Sequence, residues 1–258
     1  MSELLNIDHI SYSYHSLEGE TPALFDVSFK VMDGEFLGIV GPSGCGKSTL
    51  LSLIAGLLTP SSGSIYIGGK DIKSSDKNIG YMLQKDHLLE WRNTQKNVTL
   101  GLEIQNKLTS ESYSQIDLLL ETYGLITFKT SYPSELSGGM RQRVALIRTL
   151  VLEPDILLLD EPFSALDYQT RLEVADDIWS IIRKEGKTAI LITHDISEAI
   201  SMSDRVIVLS ERPGTVKSIF DINYSIKDRT PFKSRSAPEF KNYFNSIWRE
   251  LDHNEKKE

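Results

Sequence analysis

The stretch Gly41-Pro42-Ser43-Gly44-Cys45-Gly46-Lys47-Ser48-Thr49 fits G-x-x-x-x-G-K-[ST], the pattern of a phosphate-binding loop. The apolar run from Phe36 to Val40 precedes it and predicts a buried strand, whereas Leu50 to Gly56 follows it and predicts a helix that a glycine ends. Glycines allow backbone N–H groups to converge on an anion, and the helix adds the positive end of its dipole. The pattern and both flanks therefore predict a strand, a loop and a helix that bind the phosphates of a nucleotide.

The last three residues of the loop provide its chemistry. Lys47 is expected to reach the β- and γ-phosphates, Ser48 to ligate Mg²⁺, and Thr49 to steady the α-phosphate. Because Cys45 lies inside the loop, we expect a thiol reagent to inhibit and the nucleotide to protect against it. A chance glycine-rich turn is the alternative interpretation, and the intact strand and helix on either side argue against it.

Length and composition limit the classes of protein that fit the chain. Its 258 residues are 40% hydrophobic, which predicts a single large domain over 1–258 with a sizeable core. A net charge of −8 without a basic stripe argues against nucleic acid as a partner. The single cysteine excludes an internal disulfide, and we find neither a signal peptide nor an apolar run of about 20 residues. We therefore expect a cytoplasmic chain unless a partner holds it at a membrane.

The periodicity of the sequence changes along the chain. Residues 4–31 alternate polar and apolar positions, which predicts two or three antiparallel strands. Strand signals are missing from about 85–152, where Ser110 or Ser112 is expected to begin one helix and Ser137 a longer one. We interpret residues 85–152 as a helical subdomain inserted into an α/β core.

The second half of the core is an alternation of strands and helices. Apolar strands and helices follow one another from Ile156 to Leu209, which predicts a mostly parallel sheet covered on both faces. Residues 222–258 are more polar and are interpreted as a C-terminal extension. Within it, the stretch from Phe240 to Leu251 predicts a short helix.

Two acids end the apolar strand that begins at Ile156. Asp160 is expected to hold Mg²⁺, directly or through water, opposite Ser48. Glu161 is expected to orient and deprotonate the water that attacks the γ-phosphate. Acids also end strands for turn formation, and Pro162 follows here, so the functional interpretation depends on the phosphate loop that precedes them.

The stretch Leu136-Ser137-Gly138-Gly139-Met140 is the third motif. Ser137 and the N–H groups of Gly138 and Gly139 form an anion site at a helix N-terminus, although an ordinary N-cap with a flexible glycine pair is the alternative. Here the chain resembles the ATP-binding-cassette (ABC) ATPases, whose signature L-S-G-G-x begins a helix. The resemblance implies an α/β fold, the ABC ATPase fold of P-loop NTPases, with a mostly parallel core sheet, an N-terminal antiparallel β subdomain and the inserted helical subdomain.

The resemblance extends over nearly the whole chain. Gln84 matches the Q-loop residue that reaches the metal and the attacking water, and Ser164 to Asp167 match the D-loop. His194 matches the switch histidine at the γ-phosphate, although a lone histidine at a strand end more often has a structural role. Tyr14 matches the aromatic residue that stacks on adenine, with Tyr12 as the alternative.

These matches imply ATP as the substrate and Mg²⁺ as the cofactor. The implied catalytic residues are Glu161, His194 and Gln84. The implied ligands of Mg²⁺ are Ser48, Gln84 and Asp160. The residues implied to bind the nucleotide are Tyr14, Gly41, Pro42, Ser43, Gly44, Cys45, Gly46, Lys47, Ser48, Thr49, Ser137, Gly138, Gly139 and Asp167.

One chain supplies one set of motifs, whereas the family binds two ATP molecules between two cassettes that face head to tail. Each site joins the phosphate loop of one cassette to the signature of the other. The resemblance therefore implies a second ATP-binding subunit, either an identical chain in a homodimer or a paralogous partner. In such a pair, ATP closes the dimer and hydrolysis releases it.

Finer matches resemble the importers of nitrate, taurine and alkanesulfonates, a group that also takes up thiamine precursors. They lie at Phe163, at Met140, at His87 to Arg92, at Arg212 to Gly214 and near the C-terminus. In this group proline usually precedes the tryptophan, whereas here Glu90 precedes Trp91, which weakens the substrate assignment.

The importer resemblance implies integral permease subunits, an extracytoplasmic solute-binding protein that acts through the permease, and a position on the cytoplasmic face of the membrane. Trp91 is expected to dock a permease helix or, alternatively, to cap the helical subdomain. A soluble ABC ATPase acting on ribosomes or DNA is the runner-up, but neither a second cassette nor a long coiled-coil insertion is found in the sequence. A P-loop kinase is disfavoured by the signature and by His194.

Overall fold

Two β-sheets and a set of surrounding helices form the chain. The computed structural model describes residues 2–17, 19–75 and 78–252. The strands and α-helices of these residues are, in chain order, β1 (Glu3–Ser16), β2 (Gly19–Met32), β3 (Phe36–Val40), α1 (Lys47–Ile54), β4 (Ser62–Ile67), β5 (Lys70–Asp71), β6 (Ile79–Met82), α2 (Thr94–Ile104), α3 (Ser110–Thr122), α4 (Gly138–Leu150), β7 (Ile156–Asp160), α5 (Tyr168–Lys184), β8 (Thr188–Ile192), α6 (Ile196–Met202), β9 (Arg205–Leu209), β10 (Val216–Asp221), α7 (Pro231–Ser234) and α8 (Phe240–Leu251).

The N-terminal sheet is antiparallel, with strand order β2-β1-β4-β5. The two or three strands predicted for residues 4–31 are the two long strands β1 and β2. Leu5, Ile7 and Ile10 of β1 are buried and share one apolar cluster with Leu50 of α1 and Ile39 of β3. The sheet therefore packs over α1 and holds the phosphate loop from one side.

The second sheet is mostly parallel, as the sequence predicts. Its strand order is β10-β9-β3-β8-β7-β6, and only β10 at the edge pairs antiparallel among these described strands. Every residue of β3, β7 and β8 is buried, because such strands are covered on both faces. Since β3, β8, β7 and β6 are neighbours, the loops that follow them meet at one edge of the sheet, where nucleotide sites of this architecture lie.

Residues 85–152 contain the helices α2, α3 and α4 and no strand. The helices share one apolar cluster with α5 and with the second sheet. At the start of α3, Thr109 Oγ1 accepts a hydrogen bond from the Ser112 amide at 3.3 Å, and Ser112 Oγ accepts one from the Thr109 amide at 3.2 Å. Helix α3 thus begins at Ser110, one of the two predicted starts, while Thr109 is its N-cap and Ser112 completes a capping box. Helix α2 was not predicted.

The C-terminal residues pack on the edge of the second sheet. Helix α8 has the bounds that the sequence predicts, and its Ile247 is buried in an apolar cluster with Ile196 and Ala199 of α6. Strand β10 and the short helix α7 were not predicted. Residues 253–258 of the predicted extension lie outside the described residues. Among the described helices, none is both long enough and apolar enough to cross a membrane.

Candidate ATP-binding and hydrolysis site

The phosphate loop connects the end of β3 to the start of α1, as its pattern requires. Gly44 and Gly46 have φ angles of 76° and 105°, a region that residues with side chains rarely adopt. A side chain at Gly46 would also lie 2.8 Å from the Ala23 carbonyl oxygen of β2. Glycine at this position therefore lets the loop turn close to the N-terminal sheet and enter the helix.

Lys47 places its charge at the centre of this loop. Its ammonium group is buried and donates hydrogen bonds to the carbonyl oxygens of Gly41 at 2.8 Å and of Pro42 at 2.9 Å. These two carbonyls use two of the three ammonium donors, and the third makes only a long contact to the Cys45 sulfur at 3.9 Å, which a ligand can replace. The carbonyls of Gly41 and Pro42 thus hold the Lys47 side chain in place, and neither residue lines the cleft described below.

Cys45 lies beneath the loop. Its side chain is 1% exposed, and its sulfur is 3.9 Å from Lys47 Nζ. Burial raises the pKa of the Cys45 thiol, and the Lys47 charge opposes this only in part. This burial argues against the expectation that the thiol reacts readily with reagents, since a reactive cysteine is an exposed thiolate.

Two oxygen ligands suited to Mg²⁺ face each other between α1 and β7. Ser48 Oγ donates a hydrogen bond to Asp160 Oδ1 at 3.2 Å. Burial raises the pKa of Asp160, and the hydrogen bonds from Ser48 and Tyr81 oppose that shift. Mg²⁺ in proteins takes one or two such oxygens and completes its shell with water and substrate phosphates, so the residues present fit the ion.

Tyr81 is a contact that the sequence analysis missed. Its hydroxyl donates to Asp160 Oδ2 at 3.3 Å from the neighbouring strand β6. Burial and the nearby Asp160 charge raise the pKa of Tyr81 to about 12, so the phenol remains a donor at neutral pH. It therefore fixes the second oxygen of the carboxylate.

Glu161, Gln84 and His194 come together just beyond the strands. Gln84 Nε2 donates to Glu161 Oε2 at 3.2 Å, and His194 Nδ1 lies 3.1 Å from the same oxygen. The Glu161 backbone has a φ of 45° and its amide donates to the Ile192 carbonyl at 2.8 Å. An acid at a sparsely populated φ, held by its neighbours, is the kind of strained residue that clusters at active sites.

One cleft of about 570 Å³ joins these parts. At one side, Tyr14 is 44% exposed and its hydroxyl lies 3.0 Å from Thr49 Oγ1. Tyr12 instead packs against the apolar core and touches Tyr14 edge to face, with ring centroids 5.0 Å apart. The geometry therefore favours Tyr14 over Tyr12 for an adenine contact. The residues that line the cleft are Tyr14, Ala23, Ser43, Gly44, Gly46, Lys47, Ser48, Thr49, Glu161, His194 and Arg212; we call it the phosphate-loop cleft.

The signature segment, Leu136 to Met140, does not line the phosphate-loop cleft. Ser137 caps α4, where its hydroxyl accepts a hydrogen bond from the Met140 amide at 3.3 Å. A side chain at Gly139 would lie 2.9 Å from Val174 of α5, so this glycine also allows close helix packing. The predicted anion site and the N-cap interpretation are thus compatible at Ser137.

Asp167 also lies outside the phosphate-loop cleft. Its carboxylate accepts a hydrogen bond from the Thr170 amide at 3.0 Å and caps α5. This hydrogen bonding with Thr170 lowers the pKa of Asp167. The predicted nucleotide residues therefore form two groups on one chain, one in or beside the cleft and one at the starts of α4 and α5.

Arg212, Ala23 and Ser164 are further residues of the site that the sequence analysis did not assign to it. Ser164 Oγ lies 3.5 Å from Gln84 Nε2, and its place in the D-loop match was the available signal. Arg212 was noted only as part of an importer-like stretch. Ala23 gives no signal in the sequence, because its position depends on how β2 pairs with β1.

The chain matches the model of the ABC transporter family over residues 24–164, more than half of its length. An uncharacterized ABC transporter ATP-binding protein, YtlC of Bacillus subtilis (strain 168), is 47% identical over 98% of both chains. The nitrate import ATP-binding protein NrtD of Synechocystis sp. (strain PCC 6803) is 39% identical over 94% of this chain and 93% of its own.

A solved structure gives the same result for the fold. It is a dimeric, post-hydrolysis state of an ATP-binding cassette bound to ADP and Pi. It superposes on this chain with a TM-score of 0.73 at 30% sequence identity, and the match covers 85% of this chain and 99% of that one.

Proposed function

Because this chain belongs to the ABC transporter family, whose ATP-binding proteins hydrolyse ATP, we propose that it is the ATPase subunit of an importer for a small solute. The observation that supports hydrolysis most directly is that Gln84 and His194 both lie within 3.2 Å of the same Glu161 carboxylate oxygen beside the phosphate loop. A cleft that only binds a nucleotide has no need of a fixed carboxylate at the end where the γ-phosphate lies.

The roles of the side chains follow from their positions. Lys47 balances the charge of the β- and γ-phosphates, and the N–H groups at the start of α1 donate to them. Glu161 takes the proton of the attacking water, which Gln84 orients and His194 helps to hold at the γ-phosphate. Ser48, Asp160 and Gln84 are the proposed ligands of Mg²⁺, which neutralises phosphate charge when it is bound.

A second ATP-binding subunit completes the site in this proposal. The signature segment of one copy lies against the nucleotide in the phosphate-loop cleft of the other, and Asp167 lies at the same contact. The dimeric cassette bound to ADP and Pi supports such a pair. An identical chain would form a two-fold interface.

Trp91 is the proposed docking point for a permease. Its side chain is 75% exposed, and it follows Gln84 by seven residues in the chain. An exposed aromatic residue of this size is typical of an interface anchor. Through the permease, the subunit would lie at the cytoplasmic face of the membrane, and the extracytoplasmic solute-binding protein would contact the permease rather than this chain.

The nitrate import relative supports an anionic solute, and the sequence resemblance adds taurine, alkanesulfonates and thiamine precursors to the candidates. The test is reconstitution of the chain with candidate permease subunits, in vesicles that enclose a candidate solute-binding protein with each candidate solute. We expect the matching solute to stimulate ATP hydrolysis at least severalfold.

Trp91→Ala tests the docking point in the same vesicles, with Trp248→Ala as its matched control, since Trp248 is 54% exposed on α8. We expect Trp91→Ala to remove stimulation by the solute while the chain alone still hydrolyses ATP, and Trp248→Ala to retain stimulation. ATP hydrolysis that no permease changes would exclude the importer assignment, and a chain that binds no ATP would exclude the ATPase assignment.

A further inference from the structure

Arg212 reaches the phosphate-loop cleft from the loop between β9 and β10. It lines the cleft together with Tyr14 and Ala23. Its Nε donates a hydrogen bond to the Pro22 carbonyl at 2.8 Å. Pro22 pairs with Ser13 across the β1–β2 ladder, next to the pair of Thr21 with Tyr14. The arginine therefore sits beside Tyr14, at the side of the cleft where the proposed adenine contact lies.

Backbone hydrogen bonds and close packing hold the loop that carries Arg212 against the site. The Gly214 amide donates to the Ala23 carbonyl at 2.9 Å, and the Phe25 amide donates to the Gly214 carbonyl at 3.0 Å. A side chain at Gly214 would overlap the carbonyl oxygen of Cys45 in the phosphate loop. The loop thus packs between β2 and the phosphate loop, and its position is coupled to both.

The guanidinium of Arg212 has donors left for a ligand. Only its Nε is used by Pro22, so the four N–H groups on its two terminal nitrogens remain. Among the described carboxylates, none lies within 4.0 Å of it as an ion pair. Since the side chain is exposed and borders the cleft, its charge and donors face the space that a nucleotide fills.

We propose that Arg212 binds the nucleoside end of ATP, by donating hydrogen bonds to acceptors of the ribose and the base. The inference rests on the cleft being the ATP site and is independent of transport. Thr49 is the residue expected to steady the α-phosphate, and Tyr14 contacts Thr49. The nucleoside attached to that phosphate is therefore expected to lie beside Tyr14. Arg212 closes that side of the cleft and contributes to nucleotide affinity rather than to hydrolysis.

The test compares ligands that share phosphates but differ in the nucleoside. Dissociation constants for ATP, ADP and inorganic tripolyphosphate, each with Mg²⁺, are measured by calorimetry on the full chain. Arg212→Ala is expected to weaken ATP and ADP about tenfold, as for one lost charge-assisted hydrogen bond, and tripolyphosphate less than twofold. Arg212→Lys is expected to fall between Arg212→Ala and the unchanged chain, because an ammonium keeps the charge but lacks the planar fork.

Arg249→Ala is the matched control, since Arg249 is an exposed arginine of α8. In steady-state hydrolysis, Arg212→Ala should raise KM for ATP with little change in kcat. An equal loss for ATP and tripolyphosphate would mean that Arg212 acts on the phosphates or the loop, and the proposal would be overturned. Unchanged ATP affinity would also overturn it. Failure of the unchanged chain to bind any of the three ligands would overturn the ATP site itself.

Discussion

The phosphate-loop cleft and the signature segment both present a helix N-terminus suited to an anion, yet they differ in what surrounds it. At the cleft, Lys47, Ser48 and Glu161 line one cavity, while Ser48 hydrogen-bonds to Asp160 and Glu161 accepts a hydrogen bond from Gln84. At the start of α4, Ser137 bonds to its own helix and Gly139 packs against α5. One region is equipped for chemistry and the other only for recognition of an anion.

The difference explains why a single chain is insufficient in the proposed mechanism. In that mechanism the cleft is proposed to supply a base, a cation and metal ligands, whereas the signature segment is proposed to supply hydrogen-bond donors. Each region supplies what the other lacks, so a pair of chains arranged head to tail makes two complete sites. Variants that damage one region and spare the other test this division.

Removal of the base should give the largest effect. Glu161→Gln keeps the shape and the neutral contacts of the side chain but cannot accept a proton, so kcat for ATP hydrolysis should fall about 10²–10⁴-fold. ATP affinity should remain within a few fold, because Lys47 and Ser48 are unchanged. Phosphate release and ATP binding measured on the same sample separate the two effects, and size-exclusion chromatography with ATP should detect a persistent dimer.

Glu121→Gln provides the matched control, since Glu121 is an exposed acid of α3 that does not line the cleft. It should hydrolyse ATP at the unchanged rate. A Glu161→Gln variant that retains more than a tenth of the activity would show that another group takes the proton.

A charge at the signature segment should give the next largest effect. Ser137→Asp retains a good N-cap but places a carboxylate where the γ-phosphate of the ATP bound to the second chain would lie. Hydrolysis should fall about 10²-fold, as when a single transition-state donor is lost, while the monomer binds ATP normally. Ser137→Asn caps the helix equally well without the charge and should be much milder.

Mixing of two damaged chains tests the division directly. Lys47→Ala removes the cation of the cleft, and Ser137→Asp damages the signature segment of another chain. A dimer of the two has one site in which both regions are intact, so the mixture should recover activity that neither variant has alone. If mixing restores nothing although heterodimers form, the two regions do not meet across chains.

Much of the cleft could be predicted because its residues follow buried strands. Asp160 is the last residue of β7, and Gln84 and His194 come two residues after the ends of β6 and β8; parallel strands end at a common edge. The contacts of Tyr81 and Arg212 could not be predicted in this way. They depend on which strands are neighbours and on the loop that returns across β2, which are tertiary features without a local pattern.

The elements that were missed have weak local signals. Helix α2 contains Thr94, Val98, Thr99 and Gly101, which are poor helix formers, and tertiary packing stabilises it: a side chain at Gly101 would lie 2.8 Å from Leu152. Strand β10 is half buried at the sheet edge and is defined by its antiparallel pairing with β9. In both cases long-range contacts override the local preference.

Cys45 belongs to the phosphate-loop motif but does not line the cleft, so its reactivity tests which parts of the motif a ligand can reach. Since burial raises the pKa of its thiol, little thiolate is present at neutral pH and the sulfur is shielded. Modification by a thiol reagent should be at least about tenfold slower in the folded chain than in urea, and should accelerate as pH rises. The chain has a single cysteine, so the signal is unambiguous. Rapid modification that ATP prevents would place the thiol in the cleft.

The smallest effect is expected where the two regions are joined. Arg141 of α4 binds Asp86 through Nε at 2.8 Å and Glu90 through a terminal nitrogen at 2.8 Å, which connects the signature helix to the stretch after Gln84. Asp86 is mostly buried, whereas the Glu90 side chain is 57% exposed. Glu90→Gln should therefore cost less than about 1 kcal/mol, and Asp86→Asn about 2 kcal/mol, between exposed and buried pairs.

The stability lost in Asp86→Asn is expected to depend on pH in a defined direction. Burial tends to raise the pKa of Asp86, but hydrogen bonds from Arg141 and the Leu88 amide, with the Arg141 and Arg148 charges, hold it below its usual range. A lowered carboxyl pKa contributes stability that is complete above the unfolded pKa of about 4 and disappears as pH falls through the folded value. Thermal melting should thus separate Asp86→Asn from the unchanged chain by several degrees at pH 7 and by progressively less toward pH 3. A difference that stays constant over this range would mean that Asp86 acts through packing rather than charge.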